Sequence, residues 1–158
     1  MGSGVVAATL PEGRVLMSSV PLYTARATAT GNGRNGHVRS DDGLIDSDLR
    51  LPVEMGGVGG ASNPEQLFAA GYAACLHNAL RVVASRQKVR LGEDTSIQAE
   101  VSISATSTGG YRLTVSLTVS LPGQNSGQAE ALVTAAHAVC PYSAAIRGNV
   151  DVTTTTTV

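Results

Sequence analysis

Two cysteines, Cys75 and Cys140, are the residues whose chemistry most needs an explanation. Cysteines this far apart in a sequence can be two buried small apolar residues, an unrelated pair, or a redox pair in which one thiolate attacks and the other then forms a disulfide with it. A permanent structural disulfide is not expected in a reducing cytosol. The cysteine count alone leaves these three interpretations open.

Cys75 lies in an apolar stretch, where burial would raise the pKa of its thiol and make it inert. A reactive Cys75 therefore needs a cation beside it. Arginine suits this role because it stays protonated and can hold a thiolate and a carboxylate together. A Cys–Arg–Glu cluster would be a peroxidatic device: the thiolate attacks a peroxide, an alcohol leaves, and a second thiol condenses with the resulting sulfenic acid to give a disulfide.

Other motifs carry weaker signals. His137-x-x-Cys140 could be half of a metal site, but no second pair follows at ligand spacing, so no metal is expected. Gly31–Gly36 matches G-x-G-x-x-G but lies between two strand patterns, which indicates a turn rather than a bound dinucleotide. The loop Gly56–Gly60 precedes a helix, yet Glu65 in the first helical turn would repel an anion. A cysteine-dependent hydrolase would need a base that the sequence does not reveal.

The bulk composition predicts one packed domain. The 158 residues are 42% hydrophobic and 15% charged, with a formal net charge of −1. This balance argues against nucleic acid or an anionic membrane surface as a partner. No apolar run approaches the roughly 18–20 residues of a membrane helix, and residues 1–19 lack the pattern of a signal peptide. We expect residues 1–19 to be a loose N-terminal extension, residues 20–158 to form a single domain, and the protein to be cytoplasmic.

The order of predicted elements is typical of an α+β fold. Alternation over 22–30 predicts a half-buried strand, and short strands at 37–40 and 44–49 complete a three-stranded meander, with turns at Asn32-Gly33 and Asn35-Gly36. Residues 97–106 and 113–121 alternate around Gly109-Gly110, which predicts a hairpin. A second helix is predicted over 126–139, where Pro141 stops or kinks it, and a last strand over 149–158.

The segment around Cys75 predicts the longest helix. Asn63 can cap it, Pro64 suits its first position, and Gln66 completes a capping box. The helix should run to about Gln87. Its apolar residues surround most of the axis, so we expect a central, buried helix rather than one that lies on a surface.

Three segments resemble the organic hydroperoxide resistance (Ohr) family of the OsmC-like superfamily. Asn63-Pro-Glu-Gln-Leu-Phe-Ala-Ala-Gly-Tyr-Ala-Ala-Cys75 is similar to the signature around the first cysteine of that family. His137-Ala-Val-Cys-Pro-Tyr-Ser143, followed by Arg147-Gly-Asn149, is similar to the signature around the second. Ala29-Thr-Gly-Asn-Gly-Arg34, with Tyr23-Thr-Ala before it, resembles the segment that carries the active-site arginine. The resemblance covers about Leu22 to Val158.

This resemblance implies a role for each motif residue. Cys75 would be the peroxidatic cysteine, Cys140 the resolving cysteine, Arg34 the arginine that contacts the thiolate, and Glu65 the partner of that arginine. The implied fold is α+β, with antiparallel sheets around a central buried helix, in an intertwined homodimer. The implied activity is reduction of organic and fatty-acid hydroperoxides, without a bound cofactor or metal. Dihydrolipoamide or a lipoylated protein would reduce the disulfide again.

The sequence supports two hypotheses beyond the resemblance, one on the position of Arg34 and Glu65 and one on the substrate pocket. Glu65 and Cys75 are ten residues apart (75 − 65), or about 15 Å along a straight helix, so one arginine cannot easily touch both. Either the helix breaks near Gly71, or Arg34 and Glu65 come from a second subunit, which we favour. Apolar side chains near the cysteine suggest a substrate channel formed by Phe68, Tyr72 and Leu76.

Two alternatives to an Ohr peroxidase stay open. Leu76 and His77 occupy positions where family members commonly carry a Phe and an apolar residue, which affects the shape of the substrate pocket. An OsmC-type peroxidase of broader substrate range is therefore the first alternative. A non-catalytic ligand-binding dimer with two buried cysteines is the second.

Overall fold

A computed structural model describes residues 20–158 of the chain. The expectation of a loose extension over residues 1–19 lies outside this range. Within residues 20–158 the fold has two three-stranded sheets and three α-helices, and the α+β prediction is confirmed. The strands are β1 (Ala27–Asn32), β2 (Asn35–Ser40), β3 (Asp46–Asp48), β4 (Ser96–Ala105), β5 (Tyr111–Ser120) and β6 (Asp151–Thr157). The helices are α1 (Pro64–Arg86), α2 (Ser126–Val139) and α3 (Pro141–Ile146).

The first sheet is the predicted antiparallel meander, in the order β1-β2-β3. Asn32 pairs with Asn35, so the turn consists of Gly33 and Arg34, and Gly33 takes a left-handed φ of 53° that suits glycine. Asn35-Gly36 belongs to β2 and is not the second turn that the sequence suggested. Within this chain β1 is exposed along its whole length, so the expected half-buried strand is not seen in one protomer.

The second sheet has the order β4-β5-β6. The hairpin of β4 and β5 is confirmed, with Ser96 opposite Ser120 and Ala105 opposite Tyr111. β6 pairs with β5 in the parallel direction, which corrects the expectation of purely antiparallel sheets. Since parallel neighbours require a crossover, α2 and α3 form the connection between β5 and β6. This crossover brings the segment of Cys140 back over α1.

α1 begins at the capping box that the sequence predicts. The Asn63 side chain accepts a hydrogen bond from the Gln66 backbone, and the Gln66 side chain accepts one from the Asn63 N–H. The helix continues without interruption for 23 residues. Its length and apolar composition would suffice to cross a membrane, contrary to the expectation that no such stretch exists, but its packing against the β4–β5 sheet and α2 is that of a core helix.

The core lies between one side of α1, the second sheet and α2. Leu80, Val119, Leu121, Ala129 and Leu132 are fully buried there. The opposite side of α1 carries Ala70, Ala74, Asn78 and Val82 in an exposed row. The prediction of a central, buried helix therefore holds within one protomer for the side of α1 that faces the second sheet and α2, since this chain leaves the opposite side exposed.

Candidate active site

The fold brings the two cysteines together. Cys75 lies midway along α1, Cys140 lies between α2 and α3, and their Sγ atoms are 3.6 Å apart although 65 residues separate them in sequence. Both thiols are free. Cys75 is partly exposed, whereas Cys140 is fully buried. A disulfide requires an S–S distance of about 2.05 Å, so a small shift of either side chain would suffice to form it.

Pro141 explains the position of Cys140. A residue before proline is disfavoured in the helical region, and Cys140 accordingly has φ −70° and ψ 120°. α2 therefore ends at Val139. Proline also suits the first position of a helix, so Pro141 begins α3, a six-residue helix that the sequence analysis missed. The Cys140 N–H donates to Ala136 and its carbonyl accepts from Ala144, which ties the joint to both helices.

Within one chain Cys75 is a weak acid. Burial raises the pKa of its thiol, the neighbouring Cys140 raises it further, and a hydrogen bond from the Tyr142 backbone N–H opposes both effects. Among the described residues no arginine contributes to this balance. A cysteine attacks as its thiolate. The described residues of one chain place the two thiols in contact, but no arginine among them lowers the pKa of Cys75.

Arg34 and Glu65 form a preorganised pair. Arg34 donates from Nη1 to Glu65 Oε2 at 2.8 Å and from Nη2 to Oε1 at 2.7 Å. This bidentate pairing lowers the pKa of Glu65 and raises that of Arg34. Arg34 is at the tip of the β1–β2 hairpin, and Glu65 is in the first turn of α1, so the pair fastens the first sheet to the start of the helix.

The Arg34–Glu65 pair lies at the start of α1, whereas Cys75 lies midway along the helix. The helix is continuous from Pro64 to Arg86, so the option of a break near Gly71 is excluded. Glu65 is in the first turn, and Cys75 is ten residues, or about 15 Å, further along the axis. The structure thus joins Arg34 to Glu65 and Cys75 to Cys140, each within one chain, as two separate pairs.

The three proposed substrate-binding residues occupy different surroundings. Phe68 is partly exposed, and Tyr72 is buried; both rings lie about 6 Å from the ring of Tyr142. Leu76 is 1% exposed and packs among Leu80, Ile97 and Val119. Within one protomer its side chain points into the core rather than toward solvent, and its place in a substrate channel stays a prediction.

A cavity of about 580 Å³ opens beside the Arg34–Glu65 pair. Its wall includes Glu65 and, from the loop, α1 and β4, the apolar side chains of Met55, Ala69, Val101 and Ile103. These apolar residues share no sequence motif, since they meet only in the folded chain. The space places the Glu65 side chain, whose carboxylate binds Arg34, beside an apolar surface, which suits a ligand with one polar end and one apolar tail.

Tyr142 and Ser143 are further site residues that the sequence analysis did not select. The Tyr142 ring lies over Gly71, where an added Cβ would come 3.1 Å from its Oη, so the missing side chain makes room for the ring about one helical turn before Cys75. Ser143 is buried and bonds to Tyr72 and His137. Both residues directly follow Cys140-Pro141 in the motif, which is the signal that could have found them.

The three histidines have structural partners. His37 bridges Asp46 and Asp48 of β3, His77 contacts the Thr95 carbonyl, and His137 contacts Ser143. Among residues 20–158 no group of three or more His, Cys, Asp or Glu side chains could hold a metal ion.

Comparison with known proteins identifies the family. The family model of the OsmC-like proteins matches residues 57–155. An organic hydroperoxide resistance protein of Xanthomonas axonopodis pv. citri is 50% identical over 135 residues, covering 85% of this chain and 94% of its own. The solved structure of such a protein from Legionella pneumophila is 57% identical, covers 88% of this chain and 100% of its own, and superimposes with a TM-score of 0.84. One from Elizabethkingia anophelis is 46% identical, covers 87% and 97%, and has a TM-score of 0.82.

These similarities agree with the motifs around Arg34, Cys75 and Cys140, and they extend over almost the entire length of the relatives. The two cysteines that the motifs mark are also the two that the fold brings together. The chain belongs to the organic hydroperoxide resistance family within the OsmC-like superfamily.

Proposed function

We propose that this protein is a cysteine-based peroxidase that reduces organic hydroperoxides, including those of fatty acids, to alcohols. The observation that carries the proposal is the 3.6 Å contact between the free thiols of Cys75 and Cys140. A partly exposed thiol beside a fully buried one suits a division of labour between attack and resolution. Relatives that are named organic hydroperoxide resistance proteins support the choice of substrate.

The reaction has two steps. The Cys75 thiolate attacks the terminal oxygen of the hydroperoxide, the O–O bond breaks, and the alkoxide leaves and takes a proton to become the alcohol. Cys75 is then a sulfenic acid. The Cys140 sulfur attacks the sulfur of Cys75, the S–O bond breaks, water leaves with the thiol proton, and the disulfide forms. The peroxide is reduced by two electrons, which come from the two thiols.

The cation for Cys75 comes, in this proposal, from a second protomer. Glu65 is fixed in the first turn of the continuous helix α1, so Arg34 cannot reach Cys75 of the same chain without losing its hydrogen bonds to Glu65. A homodimer in which the Arg34–Glu65 pair of one protomer lies against Cys75 of the other would complete the site. Exposed apolar side chains on and beside the first sheet, including Leu22, Tyr23 and Leu44, and the exposed row on α1 provide the surface for such an assembly.

Mixed subunits test the shared site. Cys75→Ser subunits keep Arg34, and Arg34→Ala subunits keep Cys75, so a mixed dimer has one complete site. Random pairing gives about half mixed dimers and therefore about one quarter of the wild-type turnover, although each variant alone is nearly inactive. Turnover of the refolded mixture that stays at the level of the separate variants would refute the shared site.

The reductant is proposed to be dihydrolipoamide or a lipoylated protein. A dithiol can attack the partly exposed Cys75 sulfur of the disulfide and then release it by closing its own ring, whereas the buried Cys140 sulfur offers no such access. A cycle that depends on re-reduction fits a reducing compartment, and we place the protein in the cytoplasm. No bound cofactor enters the cycle.

The direct test measures consumption of an organic hydroperoxide with dihydrolipoamide as reductant. We expect turnover in the wild type and none in Cys75→Ser. With peroxide alone and no external thiol, Cys140→Ser should consume one peroxide per site and stop at the sulfenic acid of Cys75, because no second protein thiol can condense with it. Wild-type protein that keeps both thiols after an equimolar dose of peroxide would refute the proposed peroxidase and favour the non-catalytic ligand-binding dimer.

The turnover rates of hydrogen peroxide and of a long-chain hydroperoxide distinguish an Ohr-type peroxidase from an OsmC-type peroxidase of broader substrate range. The apolar wall of Met55, Val101 and Ile103 predicts faster turnover of the tailed substrate. Equal rates would favour the OsmC-type alternative of broader range.

A further inference from the structure

A chain of side-chain hydrogen bonds runs beside the cysteine pair. The Tyr72 phenol bonds to the Ser143 hydroxyl at 2.9 Å, and Ser143 bonds to His137 Nδ1 at 2.9 Å. His137 Nε2 bonds in turn to the Thr154 hydroxyl at 3.2 Å. The chain thereby joins α1, α3, α2 and β6 through four side chains.

Each cysteine is one helical turn from a member of this chain. Tyr72 precedes Cys75 by three residues on α1, and Ser143 follows Cys140 by three residues on α3. His137 is in the last turn of α2, on the other side of the Cys140 joint. The Ser143–His137 hydrogen bond therefore links α3 to α2 across Cys140, and the Ser143–Tyr72 hydrogen bond links α3 to α1, the helix of Cys75.

The central members of the chain are buried, so they depend on one another. Tyr72 is 1% exposed and Ser143 is 6% exposed, and a buried hydroxyl without a partner is costly. A second contact supports the same joint, since the Arg147 guanidinium donates to the His137 carbonyl at 3.2 Å. These polar contacts hold the junction of α2 and α3 at Cys140, and none of them involves a cysteine side chain.

We propose that the Tyr72–Ser143–His137 chain positions Cys140 for disulfide formation with Cys75, with Ser143 as its central positioning residue. The Sγ atoms must approach from 3.6 Å to about 2.05 Å, and a joint free to turn would spend less time within reach. The catalytic meaning of this inference rests on the proposed peroxidase function. The positioning itself is a property of the dithiol pair and can be measured without any peroxide.

The experiment equilibrates the full-length protein with reduced and oxidised dithiothreitol. Exchange converts the two protein thiols to a disulfide as oxidised dithiothreitol is reduced, so the equilibrium constant reports how well Cys140 is placed. The variants are Ser143→Ala, Tyr72→Phe and the conservative Ser143→Thr. Exposed residues provide matched controls, Ser85→Ala and Tyr111→Phe.

We expect Ser143→Ala and Tyr72→Phe each to shift the equilibrium about tenfold toward the dithiol, equivalent to about 30 mV. Ser143→Thr and both controls should stay within about twofold of the wild type. The variant that combines Ser143→Ala with Tyr72→Phe should shift the equilibrium by less than the product of the two single effects, because the two substitutions remove the same hydrogen bond. Tyr72→Phe keeps the buried ring, so the test survives if Ser143→Ala does not fold.

Two results would overturn the inference. The first is a folded Ser143→Ala and a folded Tyr72→Phe that both match the wild-type equilibrium. The second is a Ser143→Thr shift as large as that of Ser143→Ala, since the hydroxyl would then not be the positioning group. A wild-type protein that forms the disulfide with dithiothreitol but ignores organic hydroperoxides would refute the peroxidase and leave the positioning role standing.

Discussion

Replacement of Glu65 by Gln tests how much the Arg34–Glu65 pair contributes to the fold. Gln keeps the size of the side chain but removes the charge and leaves one acceptor for the two N–H groups that now bind at 2.7 and 2.8 Å. A hydrogen bond to a charged group contributes about 1.5–3 kcal/mol when buried, whereas an exposed ion pair contributes about 0–1 kcal/mol. With Glu65 14% and Arg34 35% exposed, we expect Glu65→Gln to lower the free energy of unfolding by about 1–2 kcal/mol.

Urea unfolding at one fixed protein concentration measures this loss, because assembly would otherwise contribute to the apparent stability. The chain offers a matched control in the Arg112–Asp151 pair, whose side chains are 55% and 70% exposed. Asp151→Asn should change the free energy of unfolding by less than about 0.5 kcal/mol. Equal effects of the two substitutions would refute the view that the Arg34–Glu65 pair fastens the first sheet to α1.

The pH dependence provides a second check with a defined sign. Arg34 holds the pKa of Glu65 below its ordinary value of about 4.5. A carboxyl with a lower pKa in the folded state stabilises the fold above the unfolded pKa, and this contribution disappears as the pH falls through the folded pKa. The difference between wild type and Glu65→Gln should therefore be constant down to about pH 5 and vanish in acid. A difference that persists after Glu65 is protonated would contradict the assigned cause.

Three further substitutions follow from the geometry of α1. Gly71→Ala should displace the Tyr142 ring and slow turnover of tailed hydroperoxides, with an unchanged helical circular-dichroism signal, because the new Cβ would be 3.1 Å from Tyr142 Oη. Asn63→Ala should cost about 0.5–2 kcal/mol in urea unfolding through loss of the capping box, whereas Ser85→Ala, exposed in the last turn and outside the exposed row, should change the free energy of unfolding by less than about 0.5 kcal/mol. Leu80→Ala, at a fully buried position, should cost about 2–5 kcal/mol in the same assay, and a smaller loss would mean that the core closes around the gap.

Local signals were sufficient for the elements that depend on neighbouring residues. The Asn63-Pro64-Gln66 cap fixes the start of α1 through bonds within four residues, so the sequence predicted it directly. The β4–β5 hairpin follows from alternation on both sides of one turn. The Cys75–Cys140 contact was reachable only through the resemblance, because no local pattern states that residues 65 apart will meet.

The missed features depend on contacts between distant parts of the chain. The direction of β6 is set by the α2–α3 crossover, and a threonine-rich strand looks the same in either direction. α1 is apolar on all sides, so its pattern could not say that Leu76 faces the core while Ala74 stays exposed. α3 is only six residues long and begins at a proline, which the sequence analysis took as the end of a helix.

The exposed first sheet has a consequence for how stability is distributed over the fold. A three-stranded meander that buries little of its own surface is marginally stable alone, so its amide protons should exchange by local opening well before those of β5. Arg34 is carried at the tip of this sheet. The Arg34–Glu65 pair, which joins this sheet to α1, should therefore open together with the sheet, whereas the contact between Cys75 and Cys140 should stay closed with the core.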